Sequence, residues 1–281
     1  MKRAGPLTGE SMTEKKTKRL FGTNGVRGVI GETMTPQLAM KIGMALASER
    51  GPVIALGRDT RTSGPALSSA VSAGLLACGA DVVDLGILPT PALQFIVKNH
   101  FDAGAVITAS HNPPEYNGVK IIEGDGTEMD DDGVIVLEDR IFSDDFCIKP
   151  WDAVGSSWSA PEMLREYCVA VTGAFPGLHA GNMTVAVDPG SGPACATTPE
   201  ILSHLGCRVH TINGAMDGTF PGRLPEPSPE GLSGLSQLVR DTGAAFGVAH
   251  DGDADRAVFV DENGVFIEEN EEFALMQRFF C

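Results

Sequence analysis

Four short apolar runs mark the hydropathy pattern of the chain, at residues 53–56, 105–108, 184–187 and 246–249. Each run is rich in β-branched or small apolar residues, and each ends at a polar, glycine-rich loop. Runs of this length without polar alternation are typical of strands buried on both faces of a sheet. We therefore predict an α/β protein, whose functional groups gather in the loops beyond the carboxyl ends of the strands.

A weak internal repeat supports this prediction. Residues 53–86 and 185–213 both run from a strand through an Asp-containing loop to a helix and a second, glycine-punctuated strand. Such self-similarity predicts two tandem α/β domains of one fold. The alternative is that any two β-α-β units resemble each other at this level.

A polar stretch between residues 144 and 160, with Pro150 and Gly155, separates the two copies. We place the boundary after residue 153, so that a first domain covers 20–153 and a second covers 154–257. Residues 1–19 are polar and end in KKTKR, and we expect a disordered leader there. A basic binding arm is the alternative interpretation of this segment.

The last residues, 258–281, predict the start of a third domain. The segment AVFVDENGVFIEE has two alternating apolar runs around Asn263-Gly264, a strong hairpin signal. The following EEFALMQRFFC predicts a helix with apolar residues at most positions. Such a helix needs a packing partner, so we expect a third domain that is truncated at its C-terminal end.

Composition narrows the class of function. The net charge is −16, which argues against a general nucleic-acid binder and against a protein that binds membranes through a polybasic surface. The six cysteines are scattered without zinc-type spacing, which favours a reducing, cytoplasmic location. No signal-peptide core or stretch of membrane-spanning length is visible. An anionic substrate remains compatible with this acidity, because a few local cations suffice to bind it.

The first candidate for chemistry is the motif TASHNPP, which follows the second apolar run. Ser110 stands at a strand end, before a Pro-Pro pair that restricts the backbone. A serine held in this way suits a nucleophile or phosphoryl carrier, and the adjacent His111 could orient it. The alternative is a turn serine that bonds its own backbone.

The second candidate is DGDADR, with carboxylates at Asp251, Asp253 and Asp255. An EF-hand calcium loop is excluded, because Arg256 occupies the position where that loop needs glycine. Three alternating carboxylates can still surround a hard cation such as Mg²⁺, with a position left for a phosphate oxygen. A solvated acidic turn is the alternative.

Basic residues in glycine-rich loops form a third set. Arg27 lies in FGTNGVRG, Arg58 and Arg61 lie in GRDTR, and Lys120 ends YNGVK. Each could contact phosphate, although a solvated charge or a salt-bridge partner is the commoner role for a single cation. The Pro-rich DGTFPGRLPEPSP predicts an ordered or extended connection that could line a cleft but carries no chemistry of its own.

Taken in order, FGTNGVRG, GRDTR, TASHNPPEYNGVK, DGTFPGRLPEP and DGDADR resemble the α-D-phosphohexomutase superfamily over residues 20–268. The resemblance implies tandem domains with mixed sheets flanked by helices, arranged around one cleft. It implies that Ser110 is a phosphoserine that also contributes an oxygen to Mg²⁺ held by the three aspartates. His111, Lys120, Arg27, Arg58 and Arg256 would lie near the phosphate, with Lys120 as general base and Arg27 as electrostatic stabiliser.

The implied reaction interconverts a sugar 6-phosphate and a sugar 1-phosphate through a sugar 1,6-bisphosphate. FGT-x-G-x-RG is more similar to the phosphoglucosamine mutase branch than to the phosphomannomutase/phosphoglucomutase branch. Two alternatives stay open: an inactive remnant without the family's C-terminal sugar- and phosphate-binding domains, and a phosphatase with a transient phosphoenzyme. The sequence specifies no oligomeric state.

Overall fold

The structure is a computed structural model that describes residues 20–22 and 25–280, so the expected leader at 1–19 lies outside the described residues. Two sheets with flanking helices make up the described part, and the predicted α/β class with mixed sheets is confirmed. We call each sheet with its helices a unit. No helix in the described part combines the length and the apolar character needed to span a bilayer.

The first unit contains a six-stranded sheet of order β1-β5-β4-β2-β3-β6. β2, β3, β4 and β6 are parallel, and β5 is antiparallel to both β4 and β1. Its strands are β1 (Val26–Val29), β2 (Val53–Arg58), β3 (Asp81–Ile87), β4 (Ala103–Ile107), β5 (Tyr116–Glu123) and β6 (Ser157–Ser159).

Helices cover both faces of this sheet. One face packs against α1 (Pro36–Glu49), α2 (Gly64–Ala77) and α4 (Asp131–Ser143). The other packs against α3 (Thr90–His100) and α5 (Leu164–Gly173). Along β2, Ile54 and Leu56 enter the first core and Ala55 enters the second, which explains the unbroken apolar run in the sequence.

The second unit contains a four-stranded sheet of order β10-β9-β7-β8, in which only the β9–β10 pair is antiparallel. α7 packs on one face and α6 on the other. Its elements are β7 (Thr184–Asp188), α6 (Thr198–His204), β8 (Arg208–Thr211), α7 (Ser233–Thr242), β9 (Phe246–His250) and β10 (Ala257–Val260). Both copies of the predicted repeat thus fold as a strand, a helix and a parallel strand.

Both expected domain boundaries differ from the edges of the sheets. β6 lies after residue 153 and yet pairs with β3 of the first sheet. β10 extends past residue 257 and pairs with β9 of the second sheet, because an antiparallel edge strand can follow a short loop directly. The division into a first domain, a second domain and the start of a third remains our proposal, with these two boundaries shifted.

The predicted turn at Asn263-Gly264 forms, since Asp261 N–H donates to Val265 O at 2.8 Å. Its second arm makes only an isolated bridge, Val260 to Phe266, rather than a strand. Helix α8 (Glu269–Phe280) follows, and its Phe273 and Phe279 are exposed. The predicted apolar helix therefore exists, with a large part of its apolar surface open to solvent.

A buried ion pair anchors the loop after β7. Arg223 Nε donates to Asp188 Oδ2 at 2.9 Å, and both side chains are 2% exposed. Arg223 Nη2 also donates to His250 O at 2.6 Å, so the pair ties this loop to the end of β9. Removing one member would leave the other charge buried without its partner.

Replacing Arg223 with alanine is therefore expected to lower the free energy of unfolding by about 3–5 kcal/mol. Urea denaturation followed by circular dichroism measures this loss. Lys41→Ala is the matched control, because Lys41 forms a 2.6 Å pair with Asp144 at the surface. That control is expected to cost at most about 1 kcal/mol, and equal losses in the two variants would contradict the role given to the buried pair.

Candidate active site

A cleft of about 760 Å³ lies where loops of the two units meet. The loop after β4 supplies Ser110 and His111, and the loop between β9 and β10 supplies Asp255 and Arg256. Arg27 from β1 also lines it. The two most specific sequence motifs, TASHNPP and DGDADR, therefore meet in space, although 141 residues separate Ser110 from Asp251.

Ser110 sits at the centre of this contact. Its backbone has φ +51°, a left-handed conformation that is uncommon for residues other than glycine. Its N–H donates to Thr108 Oγ1 at 2.9 Å, and its hydroxyl donates to Asp251 Oδ2 at 2.9 Å. His111 Nδ1 lies 3.3 Å from the same hydroxyl. The serine side chain is thus aimed at the carboxylates by a strained, hydrogen-bonded backbone.

Gly252 allows the two loops to approach each other. A Cβ atom at this position would lie 2.3 Å from Ser110 O. That distance is too short for any side chain unless the backbone shifts. The glycine of DGDADR therefore has a steric purpose in this structure, namely contact with the serine loop.

The three aspartates form one cluster, with a carboxylate oxygen of each within 4.8 Å of the others. Burial and the charges of Asp253 and Asp255 raise the pKa of Asp251 to about 7. Among the described residues, the buried Asp253 Oδ1 has no hydrogen-bond partner. Repelling carboxylates with an unpaired buried oxygen fit a hard divalent cation, so this cluster could hold a metal ion.

Lys120, on β5, is 1% exposed and borders the same cluster. Its ammonium group donates to Asp255 Oδ2 at 2.9 Å and lies 3.2 Å from Asp253 Oδ2. Burial lowers the pKa of Lys120, but the two carboxylates outweigh it and hold the pKa above its ordinary value. In this arrangement Lys120 is a cation that balances the cluster, and its role as a base stays a prediction.

Thr90 is a site residue that the sequence reasoning missed. It begins α3, and its hydroxyl donates to Asp253 Oδ2 at 2.6 Å while its N–H donates to Asp253 O at 3.0 Å. Thr90 is 163 positions from Asp253, so only the packing of the two units brings them together. A threonine at the start of a helix was the sole available signal, and it is too common to be diagnostic.

Arg27 and Arg256 form the cationic side of the cleft, and His111 lies beside them. Within the described residues, Arg27 Nε is buried without a hydrogen-bond partner, and the residue lines the cleft. Arg256 Nη2 donates to Asp251 Oδ2 at 3.3 Å, and the guanidinium is 43% exposed. Burial and the neighbouring Arg256 lower the pKa of His111, against the opposing charge of Glu226.

Glu226 corrects our interpretation of the Pro-rich segment as a connection without chemistry. Both of its carboxylate oxygens accept from Arg256, each at 3.1 Å, and Oε2 lies 3.7 Å from His111 Nδ1. A bidentate carboxylate holds a guanidinium in a defined plane. The segment thus contributes a residue that orients the cations of the cleft.

The two arginines of GRDTR do not lie where a phosphate ligand was expected. Arg58 is absent from the cleft lining in the described residues, and its side chain lies against Gly64 at the start of α2. Arg61 is fully buried, and its guanidinium is bound entirely within the protein. Arg61 is separated from the cleft because it is buried beneath the serine loop. Arg58 is separated from it because its side chain points towards α2.

Comparison with known proteins agrees with this geometry. Residues 18–147 match the family model of phosphoglucomutase/phosphomannomutase α/β/α domain I, and residues 165–264 match that of domain II. In Thermococcus kodakarensis, a phosphoglucomutase/phosphomannomutase is 45% identical over 268 residues. A phosphopentomutase of the same organism, and a protein of Methanopyrus kandleri named "Probable phosphoglucosamine mutase", are each 42% identical over 262 residues.

The crystal structure of a phosphoglucomutase/phosphomannomutase family protein from Burkholderia thailandensis superposes with a TM-score of 0.83 at 32% identity. The match covers 92% of this chain and 57% of that one. Alignment with the Thermococcus and Methanopyrus relatives likewise covers 92–93% of this chain and 58% of theirs. The chain therefore spans about three fifths of the length of its relatives.

Proposed function

Because this chain belongs to the phosphoglucomutase/phosphomannomutase family of the α-D-phosphohexomutase superfamily, we propose that it carries the phosphoryl-transfer centre of a phosphohexomutase. The observation that carries the proposal is the 2.9 Å hydrogen bond from Ser110 Oγ to Asp251 inside a three-carboxylate cluster. A hydroxyl that is to accept and donate a phosphoryl group needs a nearby cation, and the cluster is built to hold one.

We assign Mg²⁺ to Asp251, Asp253 and Asp255, with an oxygen of the phosphorylated Ser110 as a further ligand. Bound Mg²⁺ would supply positive charge to the transferring phosphoryl group and would offset the carboxylates that keep Lys120 protonated. Oxygen ligands from carboxylates are those that Mg²⁺ prefers.

In the first half-reaction, phosphorylated Ser110 gives its phosphoryl group to the free hydroxyl of a sugar monophosphate. The bond from Ser110 Oγ to phosphorus breaks, the bond from the sugar oxygen to phosphorus forms, and the sugar hydroxyl loses its proton to a base. Lys120 is our candidate for that base, because Mg²⁺ bound at the cluster would offset the carboxylates that raise its pKa and would favour the neutral amine, which can accept the proton. The product is a sugar 1,6-bisphosphate.

In the second half-reaction, the bisphosphate reorients in the cleft and returns its other phosphoryl group to Ser110. The bond from that sugar oxygen to phosphorus breaks, the bond from Ser110 Oγ to phosphorus forms, and the sugar oxygen takes the proton back from the base. The cleft volume of about 760 Å³ lies within the usual range for small-molecule sites. Arg27 lines the cleft together with Ser110, so we assign its guanidinium to the phosphoryl oxygens. Arg256 adds a second cation near Ser110, and His111 could orient its hydroxyl. Positioning and charge stabilisation are the main needs of such a transfer.

For the substrate, we propose glucosamine phosphate, with phosphomannomutase/phosphoglucomutase activity as the alternative. FGT-x-G-x-RG supports the first choice, as does the resemblance to a relative named as a phosphoglucosamine mutase. A phosphopentomutase at the same identity shows that related chains differ in the sugar they use. We also propose a cytoplasmic location, in line with the scattered free cysteines.

The test of this function is the intact mass of the chain after incubation with Mg²⁺ and glucose 1,6-bisphosphate. We expect the mass of one phosphoryl group to be added, with glucose monophosphate as the other product. Inorganic phosphate released from a sugar monophosphate without isomerisation would instead support a phosphatase. A folded chain that gains no phosphoryl group would support an inactive remnant, the alternative that its limited coverage of the relatives raises.

A further inference from the structure

Arg61 and Phe220 connect the two units directly beneath the serine loop, and neither is needed to hold a phosphate or a metal. We infer that they form a latch that positions Ser110 against the carboxylate cluster. This inference deepens the proposed function and rests on it for the catalytic consequence. It concerns positioning residues, since neither side chain lines the cleft in the described residues.

Arg61 holds the serine loop through its whole guanidinium group. Nε donates to Asp59 Oδ2 at 3.0 Å, and the two Nη atoms make four bonds of 2.6–2.9 Å to backbone carbonyls. Together these bonds use all five N–H donors of the side chain. The four carbonyls belong to Ser110, Asn112, Pro113 and Tyr116.

Asp59 extends the same network to the strand that precedes the loop. It is fully buried, and Thr108 Oγ1 donates to its Oδ2 at 2.7 Å. Thr108 in turn accepts from the N–H of Ser110 at 2.9 Å. The left-handed backbone of Ser110 is therefore held from both sides, by Arg61 at its carbonyl and by Thr108 at its amide.

Phe220 belongs to the second unit, in the segment between β8 and α7. The centre of its ring lies 5.3 Å from Arg61 Cζ, within the range of a cation–π contact. Phe220 is 5% exposed and has φ +51°, a conformation that is an outlier for a bulky side chain. Such strain persists only where the surroundings over-determine it, and two constraints are seen here: the Phe220 N–H donates to Asp217 O at 3.0 Å, and the ring packs on Arg61.

Backbone contacts fix the same junction. Arg61 pairs with Gly218 in an isolated bridge, and a Cβ at Gly218 would lie 2.2 Å from Thr60 O. Thr60 Oγ1 also donates to Ser191 O, in the loop after β7, at 3.0 Å. The second unit thus contacts the GRDTR loop through both backbone and side-chain atoms. These contacts place Phe220 against Arg61, the residue that bonds to the carbonyl of Ser110.

Ser110 is therefore connected to the second unit by two separate series of contacts. One series runs from Ser110 Oγ to Asp251, and the other runs from Ser110 O through Arg61 to Phe220. Loss of the ring would remove the packing of the second unit against the guanidinium, which keeps its own hydrogen bonds, without touching the reacting groups. Because a small misplacement of a reacting group costs about 10²-fold in rate, the latch is expected to affect phosphoryl transfer.

The test compares Phe220→Ala and Phe220→Tyr in the 281-residue chain, with Phe246→Ala as the matched control. Phe246 is a partly buried aromatic residue of the second unit that packs against the core on the α6 side of the second sheet and not against Arg61. With Mg²⁺ and glucose 1,6-bisphosphate, we expect Phe220→Ala to slow the maximal rate of Ser110 phosphorylation by about 10²-fold with little change in half-saturating concentration. Phe220→Tyr keeps the ring and should restore most of the rate, whereas Phe246→Ala should keep the parent rate.

Amide hydrogen exchange gives a readout that does not require activity. The N–H groups of Ser110 and Asn112 are bonded at 2.9 and 3.0 Å, so Phe220→Ala should speed their exchange by at least about tenfold, and Phe246→Ala should not. Equal exchange and equal rates in the two alanine variants would overturn the latch. If the parent chain gains no phosphoryl group, the proposed function fails, and the exchange comparison alone decides the latch.

Discussion

Replacing Ser110 with alanine is expected to reduce phosphoryl incorporation from glucose 1,6-bisphosphate to background, a loss of about 10⁴-fold or more. The reason is that Oγ is the atom that forms the bond to phosphorus in the proposed reaction, and Ser110 combines a hydroxyl bonded to the carboxylate cluster with a place in the cleft lining. Intact mass spectrometry over time measures the loss.

A matched control for this substitution is Ser63→Ala. Ser63 lies in the same unit, and its hydroxyl accepts from Asn117 Nδ2 at 2.9 Å rather than bonding to a carboxylate of the cluster. Its removal should leave phosphoryl incorporation at the parent level. Equal incorporation in Ser110→Ala and the parent would move the phosphorylated residue elsewhere and would remove the central support of the proposed function.

Replacing Asp253 with asparagine is expected to have the next largest effect. Asparagine keeps the size of the side chain and can accept from Thr90, but it lacks the charge of a carboxylate that is fully buried. The cluster would then hold Mg²⁺ much less tightly. If about 4 kcal/mol of charge stabilisation is lost from the transition state, the rate of phosphoryl transfer falls by about 10³-fold.

Isothermal titration with Mg²⁺ and the rate of phosphoryl incorporation measure the two parts of this prediction. Asp261→Asn is the matched control, because Asp261 is an aspartate of the second unit whose carboxylate accepts from the N–H groups of Asn263 and Val265 in an exposed turn. It should bind Mg²⁺ like the parent. An unchanged Mg²⁺ affinity in Asp253→Asn would show that the cluster is not the metal site.

Hydropathy predicted the centre of the fold well. The four apolar runs are β2, β4, β7 and β9, with shifts of no more than a few residues at their ends. These strands are buried on both faces, so their composition is constrained over their whole length. β6, with the sequence Ser-Trp-Ser, was missed because all three of its residues are exposed and no apolar pattern marks them.

The functional residues divide into those that a short motif reveals and those whose role depends on contacts with distant parts of the chain. Ser110 and the three aspartates could be singled out because each motif brings unusual residues together within a few positions. Arg61 illustrates the limit, because its charge and its glycine-rich surroundings resemble those of a phosphate ligand. Only its complete burial and its four bonds to backbone carbonyls reveal a structural role.

The sequence by itself determined the α/β class, the strands of the core and the residue types of the proposed phosphoryl-transfer centre. The tertiary structure decided which of those residues meet. Thr90 reaches Asp253 across 163 residues, Ser110 reaches Asp251 across 141, and Glu226 reaches Arg256 from a Pro-rich loop. The physical reason is that strand formation follows from burial patterns within a short window, whereas a site between two units depends on how their surfaces pack, which no local pattern contains.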